Sequence, residues 1–386
     1  MNNHHFLPPS SAGVWGKPGG CTAWPMMNAT YPQLPRIEAM EGDASHQIGA
    51  ELIDNKTRNV FQYEWKNYNG KSADNGIMYT EEMFECAQLY AEDVGAVMIK
   101  TGVFGGQYLL IEEKINIDRI FEGQTGSPDC VLYDFMNGVI YIWDYKFGHE
   151  KVEQFENWQC IDYMAGVLER FGIDGLTEQK ITVKIRICQP RAYHAGGAIR
   201  EWSVLASTLR GYHNILEANA AQCMSNDAVA QSGSHCKHCP GRHACDAALT
   251  AGIQLYEAAS APMPVELSPQ ALGLQLTLLK RAQEQINLLV TGYEQQVETS
   301  IRRNKLIPGW GQEATHGSLK WSKPISDVIA MANLFDVNIS KDAALTPKQA
   351  IKAGLDPDVV TRYSHKPRTG MKIVQEIESK TRHTFS

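Results

Sequence analysis

The chain has 386 residues, of which 43% are hydrophobic, 20% charged and 9% aromatic, and its net charge is −7. That length holds a substantial core with one or two appended modules, and the composition is that of a soluble globular protein, not a disordered or fibrous one. The acidic balance excludes a global basic field for nucleic acid, so any such surface is local.

No apolar run approaches the roughly 18 residues of a membrane span. Residues 1–13, MNNHHFLPPSSAG, lack the basic and apolar regions of a signal peptide, so a cytoplasmic protein is expected. Nine cysteines make an odd number for a secreted disulfide framework; a metal site plus a few buried thiols accounts for them better.

Taken in order, residues 1–35 are rich in Gly, Pro and Ser and read as loop leading to Cys21 and Trp24. Glu38 to Asp54 is helix-like, with His46, Ala50 and Ile53 on one face. A lone histidine there suits a structural role as well as a ligand. Thr80 to Val94 is a second helical segment, with Met83, Cys86, Ala87 and Tyr90 at core spacing. Gln107 to Ile117 reads as a strand, and either Glu112 or Glu113 at its centre faces a site or an exposed edge.

Gly126 to Gly148, GSPDCVLYDFMNGVIYIWDYKFG, reads as two strands, Cys130–Tyr133 and Val139–Trp143, joined by an Asn137-Gly138 turn. In an antiparallel hairpin the start of one strand lies beside the end of the next, so Asp129 and Asp144 become neighbours. Asp144 and Lys146 are two apart and share one face. Two carboxylates this close repel one another unless a cation sits between them, and oxygen ligands suit Mg²⁺ or Mn²⁺. Such an ion polarises a phosphoryl oxygen, while a lysine beside it stabilises charge building on the phosphate. The plainer reading is a hairpin whose end carries a surface Asp–Lys ion pair.

Gln154 to Phe171 is an amphipathic helix with Gln159 and Tyr163 stacked four apart. Residues 180–189 alternate as a strand ended by Pro190-Arg191, and Val204 to Met224 is another helix. Helix, strand, hairpin, helix, strand is the order of an α/β core with a mixed sheet and the site at its edge.

Ser234 to Ala248 contains Cys236-x2-Cys239-x5-Cys245 around a Pro-Gly turn. Three thiolates at this spacing surround one ion or cluster and need a fourth ligand from elsewhere; His235, His238 and His243 are local alternatives that favour zinc. The bound group is expected to staple the fold, not to catalyse. Residues 249–267 read as a linker around Ala259–Pro264. Ser268 to Arg303 carries apolar residues at three- and four-residue spacing, as a packed or coiled helix does. From Lys305 onward come a Gly309-Trp310-Gly311 turn, a strand candidate at Gly317–Trp321 and short helices. Residues 341–386 hold nine Lys/Arg against five Asp/Glu, a DNA-contacting face or an ordinary solvated one.

Several of these segments together resemble the RecB-like branch of PD-(D/E)xK nucleases, especially the iron–sulfur exonucleases. That group includes the CRISPR-associated adaptation nucleases and the AddB nuclease domain, and the order of parts is closest to a phage and prophage family. Cys21 followed by Glu41-Gly42-Asp43-Ala44-Ser45-His46 is similar to the family's N-terminal cysteine and first helix motif. Pro128-Asp129 and Asp144-Tyr145-Lys146 resemble its acidic motifs, Gln159 to Tyr163 its QxxxY helix, and Gln189-Pro190-Arg191 a segment after the fourth strand. Cys236, Cys239 and Cys245 match the C-terminal cluster cysteines. The match runs from about residue 10 to 250 and extends weakly to Lys320-Trp321 and Leu345-Thr346-Pro347. It departs at Asp43, where the family has a variable Thr, and at the GGCTAW context of Cys21.

The resemblance implies a PD-(D/E)xK restriction-endonuclease-like α/β fold with a mixed central sheet flanked by helices, plus a mainly helical C-terminal region. It implies His46, Asp129 and Asp144 as ligands of catalytic Mg²⁺ or Mn²⁺ with the Tyr145 carbonyl, Lys146 as the catalytic lysine, and Gln159 and Tyr163 as positioning groups. Cys21, Cys236, Cys239 and Cys245 would hold a [4Fe–4S] cluster, with zinc as the alternative.

The expected domains are an N-terminal segment 1–35, a nuclease domain 36–250, a linker 251–267 and a locally basic helical region 268–386. The expected function is a metal-dependent DNA exonuclease acting on single-stranded ends, 5′→3′ by resemblance. It would serve phage or prophage recombination or DNA processing, alongside recombination or replication proteins in the bacterial cytoplasm. The alternatives are a nuclease-fold DNA- or protein-binding factor without cleavage, and a zinc-stapled interaction module.

Overall fold

The computed structural model describes residues 6–31, 36–58, 64–260, 267–316, 320–321, 323–339, 346–365 and 368–375. The chain divides into two compact units, residues 1–292 and 293–386.

The first unit opens with two short helices, α1 (Ala12–Trp15) and α2 (Trp24–Thr30), where loop is expected from the sequence. Two 21-residue helices follow, α3 (Ile37–Thr57) and α4 (Glu81–Thr101). Thr80 caps α4 by accepting the Met83 N–H, and Gly102 ends it in the left-handed conformation that a side chain would strain.

The strand expected over 107–117 is two pieces, β1 (Leu109–Ile111) and β2 (Ile115–Asn116), separated where Glu112 takes φ +47°. Next come β3 (Thr125–Gly126), which pairs with β2, and the hairpin β4 (Cys130–Asp134) and β5 (Val139–Tyr145). The hairpin loop is four residues, 135–138. Asp134 accepts both the backbone and the amide N–H of Asn137, and Gly138 sits at φ +66°. Then follow α5 (Trp158–Arg170), α6 (Gly175–Glu178), β6 (Thr182–Cys188), β7 (Ile199–Leu205) and α7 (Ala206–Cys223). Helix α5 begins four residues later than its amphipathic pattern, because Asn157 caps it by accepting the Cys160 N–H. Strand β7 covers residues 199–203, for which no element is expected, and the first two residues of the helix expected from Val204.

The central sheet has the order β1-β4-β5-β6-β7. It is antiparallel except for the β5–β6 pair, which is parallel and crosses over through α5. This is the mixed α/β architecture expected from the sequence. Both faces are covered, so β5 is buried along nearly its whole length. Ile140 and Ile142 face α5 and α7, with Val131, Val183, Ile185 and Ile187. Tyr141, Trp143 and Tyr145 face the other way, into the core built by α3 and α4.

Leu7 and Trp15 of the N-terminal segment are fully buried in the α5–α7 core. Thr22 is tied to Val229 by a 2.8 Å hydrogen bond, and Asn219 donates to the Gly16 carbonyl.

Helices α8 (Asp246–Ser260) and α9 (Pro269–Arg302) complete the long elements. Helix α8 occupies much of the stretch read as a linker, and residues 261–266 lie outside the described ones. In the second unit β8 (Trp310–His316) pairs with β11 (Arg368–Gln375), and β9 (Lys320–Trp321) with β10 (Ser364–His365). Helices α10 (Ile325–Asn333), α11 (Pro347–Lys352) and α12 (Pro357–Tyr363) surround a small core that includes Val328, Met331, Leu355 and Val360. Residues 317–319 of the expected strand lie outside the described residues, as do 340–345, 366–367 and 376–386 of the basic stretch. No helix of the described residues is long and apolar enough to cross a membrane.

Candidate metal centre

Pairing of Cys130 with Trp143 sets Asp129 beside Asp144 at the open end of the hairpin. By strand parity Asp144 lies on the same face as Ile140 and Ile142, turned towards α5. Lys146 follows on that side: its Nζ is 2.9 Å from Asp144 Oδ1 and donates to Gln159 Oε1 of α5 at 3.2 Å. The backbone N–H of Tyr145 donates to Asp129 Oδ2 at 2.6 Å, locking that carboxylate.

Helix α3 delivers His46, whose Nδ1 lies 3.5 Å from Asp129 Oδ1 and 3.4 Å from Glu112 Oε1. His46, Glu112 and Asp129 thus offer three ligand atoms within 4.8 Å of one another, a group able to hold a divalent cation. Asp144 is 1% exposed, and its Oδ2 has no hydrogen-bond partner among the described residues. A buried carboxylate oxygen without a donor suits a cation as its partner.

The electrostatics agree. Burial works against a charged His46, but Asp129 and Glu112 outweigh it and lift its pKa to about 10. Burial likewise opposes ionisation of Asp129, and the charges of His46 and Lys146 with the Tyr145 N–H hold it below the usual carboxylate range. Burial and then the neighbouring Asp129 carboxylate leave Asp144 raised, although Lys146 pulls it down. Glu112 is raised by burial, His46 opposing and Asp129 adding to it. For Lys146, burial is outweighed by Asp144 and Asp129, so its pKa rises. The cluster draws positive charge, which a proton on His46 or a bound cation would supply. A metal ligand must be neutral imidazole, so metal and proton compete for this nitrogen.

Of the remaining site residues expected from the sequence, Tyr163 is 7% exposed and bonds Gln159; burial raises its pKa, as do Asp129 and Asp144 nearby. The Tyr145 side chain is a clamp. Its hydroxyl is 2.7 Å from Ser45 Oγ and its ring stacks on Tyr90 at 4.9 Å. Cys21, Cys236, Cys239 and Cys245 are all buried free thiols. Burial pushes the Cys239 thiol up to about 11, with Cys21, Cys236 and Cys245 near enough to add to it. His235 hydrogen-bonds Cys21, which raises its pKa despite burial.

A family model described as "Protein of unknown function (DUF2800)" matches residues 4–353. The chain belongs to the DUF2800 family. No curated protein matches it. Among solved structures, this DUF2800 member is similar to a crystal structure of a "putative exonuclease" from Eubacterium rectale. The identity is 14% over 56% of this chain and 79% of that one, with a TM-score of 0.29.

Three features of this DUF2800 site escape the sequence. The first is the choice between the two glutamates: Glu112 joins His46, whereas Glu113 lies 3.6 Å from Arg170. The second is the Ser45–Tyr145–Tyr90 clamp, whose partners are far apart in sequence. The third is Gln189, fully buried at the end of β6. Its amide donates to the Gly148 and Glu150 carbonyls and its oxygen accepts the Val152 N–H, fastening the segment that follows Lys146. Arg191 adds to this by covering the Phe147 ring at 4.2 Å. The Gln-Pro-Arg run was visible; its task was not.

Proposed function

We propose that the protein is a Mg²⁺- or Mn²⁺-dependent deoxyribonuclease of the RecB-like PD-(D/E)xK type. The observation that carries the reading is the cation-seeking cluster of His46, Glu112 and Asp129, set beside the ion pair of buried Asp144 with half-buried Lys146. In this reading His46, Asp129 and Asp144 are the metal ligands, with the Tyr145 carbonyl and Glu112 completing the set. A bound divalent ion would polarise a phosphoryl oxygen and acidify an attacking water. Lys146 stabilises charge on the phosphate at its Nζ, which the Gln159 oxygen aims, and Tyr163 supports Gln159. The substrate is DNA, with exonucleolytic action on single-stranded ends as the preferred mode.

Residues 36–250 form the nuclease domain in this reading, with α8 leading on to the region 268–386. Cys21 from the N-terminal segment joins Cys236, Cys239 and Cys245 in holding a [4Fe–4S] cluster, with zinc as the alternative. Support comes from the burial of all four thiols and from Cys21, Cys236 and Cys245 each adding to the raised pKa of Cys239. Such a closure would fasten more than 200 residues of chain. A role in phage or prophage recombination or DNA processing, in the bacterial cytoplasm, goes with it.

The test is cleavage of end-labelled single- and double-stranded DNA with Mg²⁺ or Mn²⁺, wild type against Lys146→Ala. Metal-dependent products absent from the variant are expected. A folded, metal-replete wild type without products, or a fully active variant, overturns the reading. Iron and zinc content of the anaerobically purified protein separates cluster from zinc site.

A further inference from the structure

We infer that the Tyr90 hydroxyl is a positioning donor of the metal centre, serving the Asp129 carboxylate when His46 is a neutral ligand. The inference rests on the nuclease reading of this cluster. Tyr90 lies on α4 among Met83, Cys86, Ala87, Ala91 and Val94, the buried face turned to α3. Its ring is held from two sides. It stacks on the Tyr145 ring, with centroids 4.9 Å apart and planes inclined by 1°. On the α3 side it rests against Gly49, where a Cβ would lie 3.0 Å from Cδ1 and 3.2 Å from Cε1. Gly49 comes three residues after His46 and so neighbours it along that helix.

A phenylalanine would satisfy both ring contacts. The hydroxyl is a separate matter: Tyr90 is 2% exposed, and its oxygen has no hydrogen-bond partner among the described residues. A buried O–H without an acceptor costs free energy, so its place needs a reason. The groups around it supply one. Burial first, then Cys130, Asp129, Glu112 and Cys188, raise its pKa, so it keeps its proton as a donor. Burial also keeps Cys130 and Cys188 as neutral thiols, which accept weakly. The two carboxylates are the strong acceptors of the four. Asp129 is the better placed, because it is buried and its Oδ2 is already fixed by the Tyr145 N–H at 2.6 Å. The Glu112 side chain is 39% exposed. Protonated His46 serves Asp129 Oδ1 from 3.5 Å, but an imidazole that binds metal through that nitrogen has no proton there to give. Tyr90 then makes good the lost donor. Carboxylate ligands are held in direction by such hydrogen bonds from behind.

The test is Tyr90→Phe, which deletes one oxygen and keeps both ring contacts. Without metal the variant should melt roughly 2–4 °C above wild type, because an orphan hydroxyl is gone. Its Mn²⁺ dissociation constant by titration calorimetry should rise about tenfold or more. Opposite signs are the signature, since losing a purely structural hydroxyl lowers stability and leaves Mn²⁺ affinity alone. A variant that melts below wild type, or does not fold, overturns the inference. So does an unchanged Mn²⁺ dissociation constant, and either result leaves the nuclease reading intact where the wild type binds Mn²⁺ and cleaves DNA. A wild type that takes up no Mn²⁺ overturns both.

Discussion

Asp162→Asn is expected to stabilise the protein, increasingly so as pH rises. Asp162 on α5 and Gln124 are both fully buried. The Gln124 amide donates to the Leu7 carbonyl at 3.0 Å and to Asp162 Oδ2 at 2.9 Å. Asp162 Oδ1 and Gln124 Oε1 have no hydrogen-bond partner among the described residues. Burial drives the Asp162 carboxyl well above the usual range, with the Gln124 bond opposing only in part. A protonated Oδ1 has a donor to offer the neighbouring amide oxygen; an ionised one has none. The folded form therefore holds a proton that the unfolded chain releases near pH 4. Stability is full below that pH and is lost as pH rises through the raised folded value, by at most about 1.4 kcal/mol per pH unit for one proton. Asparagine supplies the donor permanently in the same shape, which is worth ~1–3 kcal/mol for a buried orphan group. Urea denaturation of both proteins at several pH values reads the difference. Parallel pH profiles, or a variant less stable than wild type at mildly alkaline pH, would refute the protonated-carboxyl argument.

Other expectations follow from single distances and angles. Glu112 is a non-glycine residue at φ +47°, so Glu112→Gly should hold or raise stability by up to ~1 kcal/mol. It should also weaken Mn²⁺ binding, read by titration calorimetry beside the melting temperature. A Cβ on Gly166 would lie 2.2 Å from the Asn116 carbonyl oxygen, so Gly166→Ala should cost ~2 kcal/mol or more. Gly211→Ala on α7, where a Cβ meets nothing, should gain ~0.5–1 kcal/mol in the same melts. His213 is buried against the Ile161 carbonyl, and burial lowers its pKa to about 4. Its contribution is complete above pH ~6.5 and is lost as pH falls towards 4, about 3 kcal/mol in all. His213→Gln should flatten that acid limb, and an unchanged limb would sink the assignment.

The candidate metal centre is legible where its chemistry follows strand parity. Asp129, Asp144 and Lys146 meet because a hairpin aligns its ends and alternate residues share a face, and both rules act on the sequence directly. Glu112 was not legible, because its placement depends on a left-handed residue that breaks the expected strand into β1 and β2; with one continuous strand, Glu112 and Glu113 are equal candidates. Strand β7 was missed because IREWSVL mixes charge into its alternation behind a Gly-Gly run. Most of α8 falls where an Ala-rich stretch beside Ser and Pro has the composition of a linker, although alanine is the strongest helix former.

Strand β5 shows why the site stands where it does. Its alternate residues serve two cores: Ile140 and Ile142 fill one, while Tyr141, Trp143 and Tyr145 fill the other. At the strand's end the same alternation sends Asp144 to the α5 side and the Tyr145 ring to the α3 side. There Tyr145 fixes Ser45, the residue before His46. Its backbone N–H meanwhile fixes Asp129. One residue thus sets the distance between His46 of α3 and the Asp129 carboxylate just before β4, through its hydroxyl on one side and its backbone N–H on the other. Loss of the Tyr145 hydroxyl would therefore loosen His46 and leave the Asp144–Lys146 pair in place, since that pair hangs from the opposite face of the same strand.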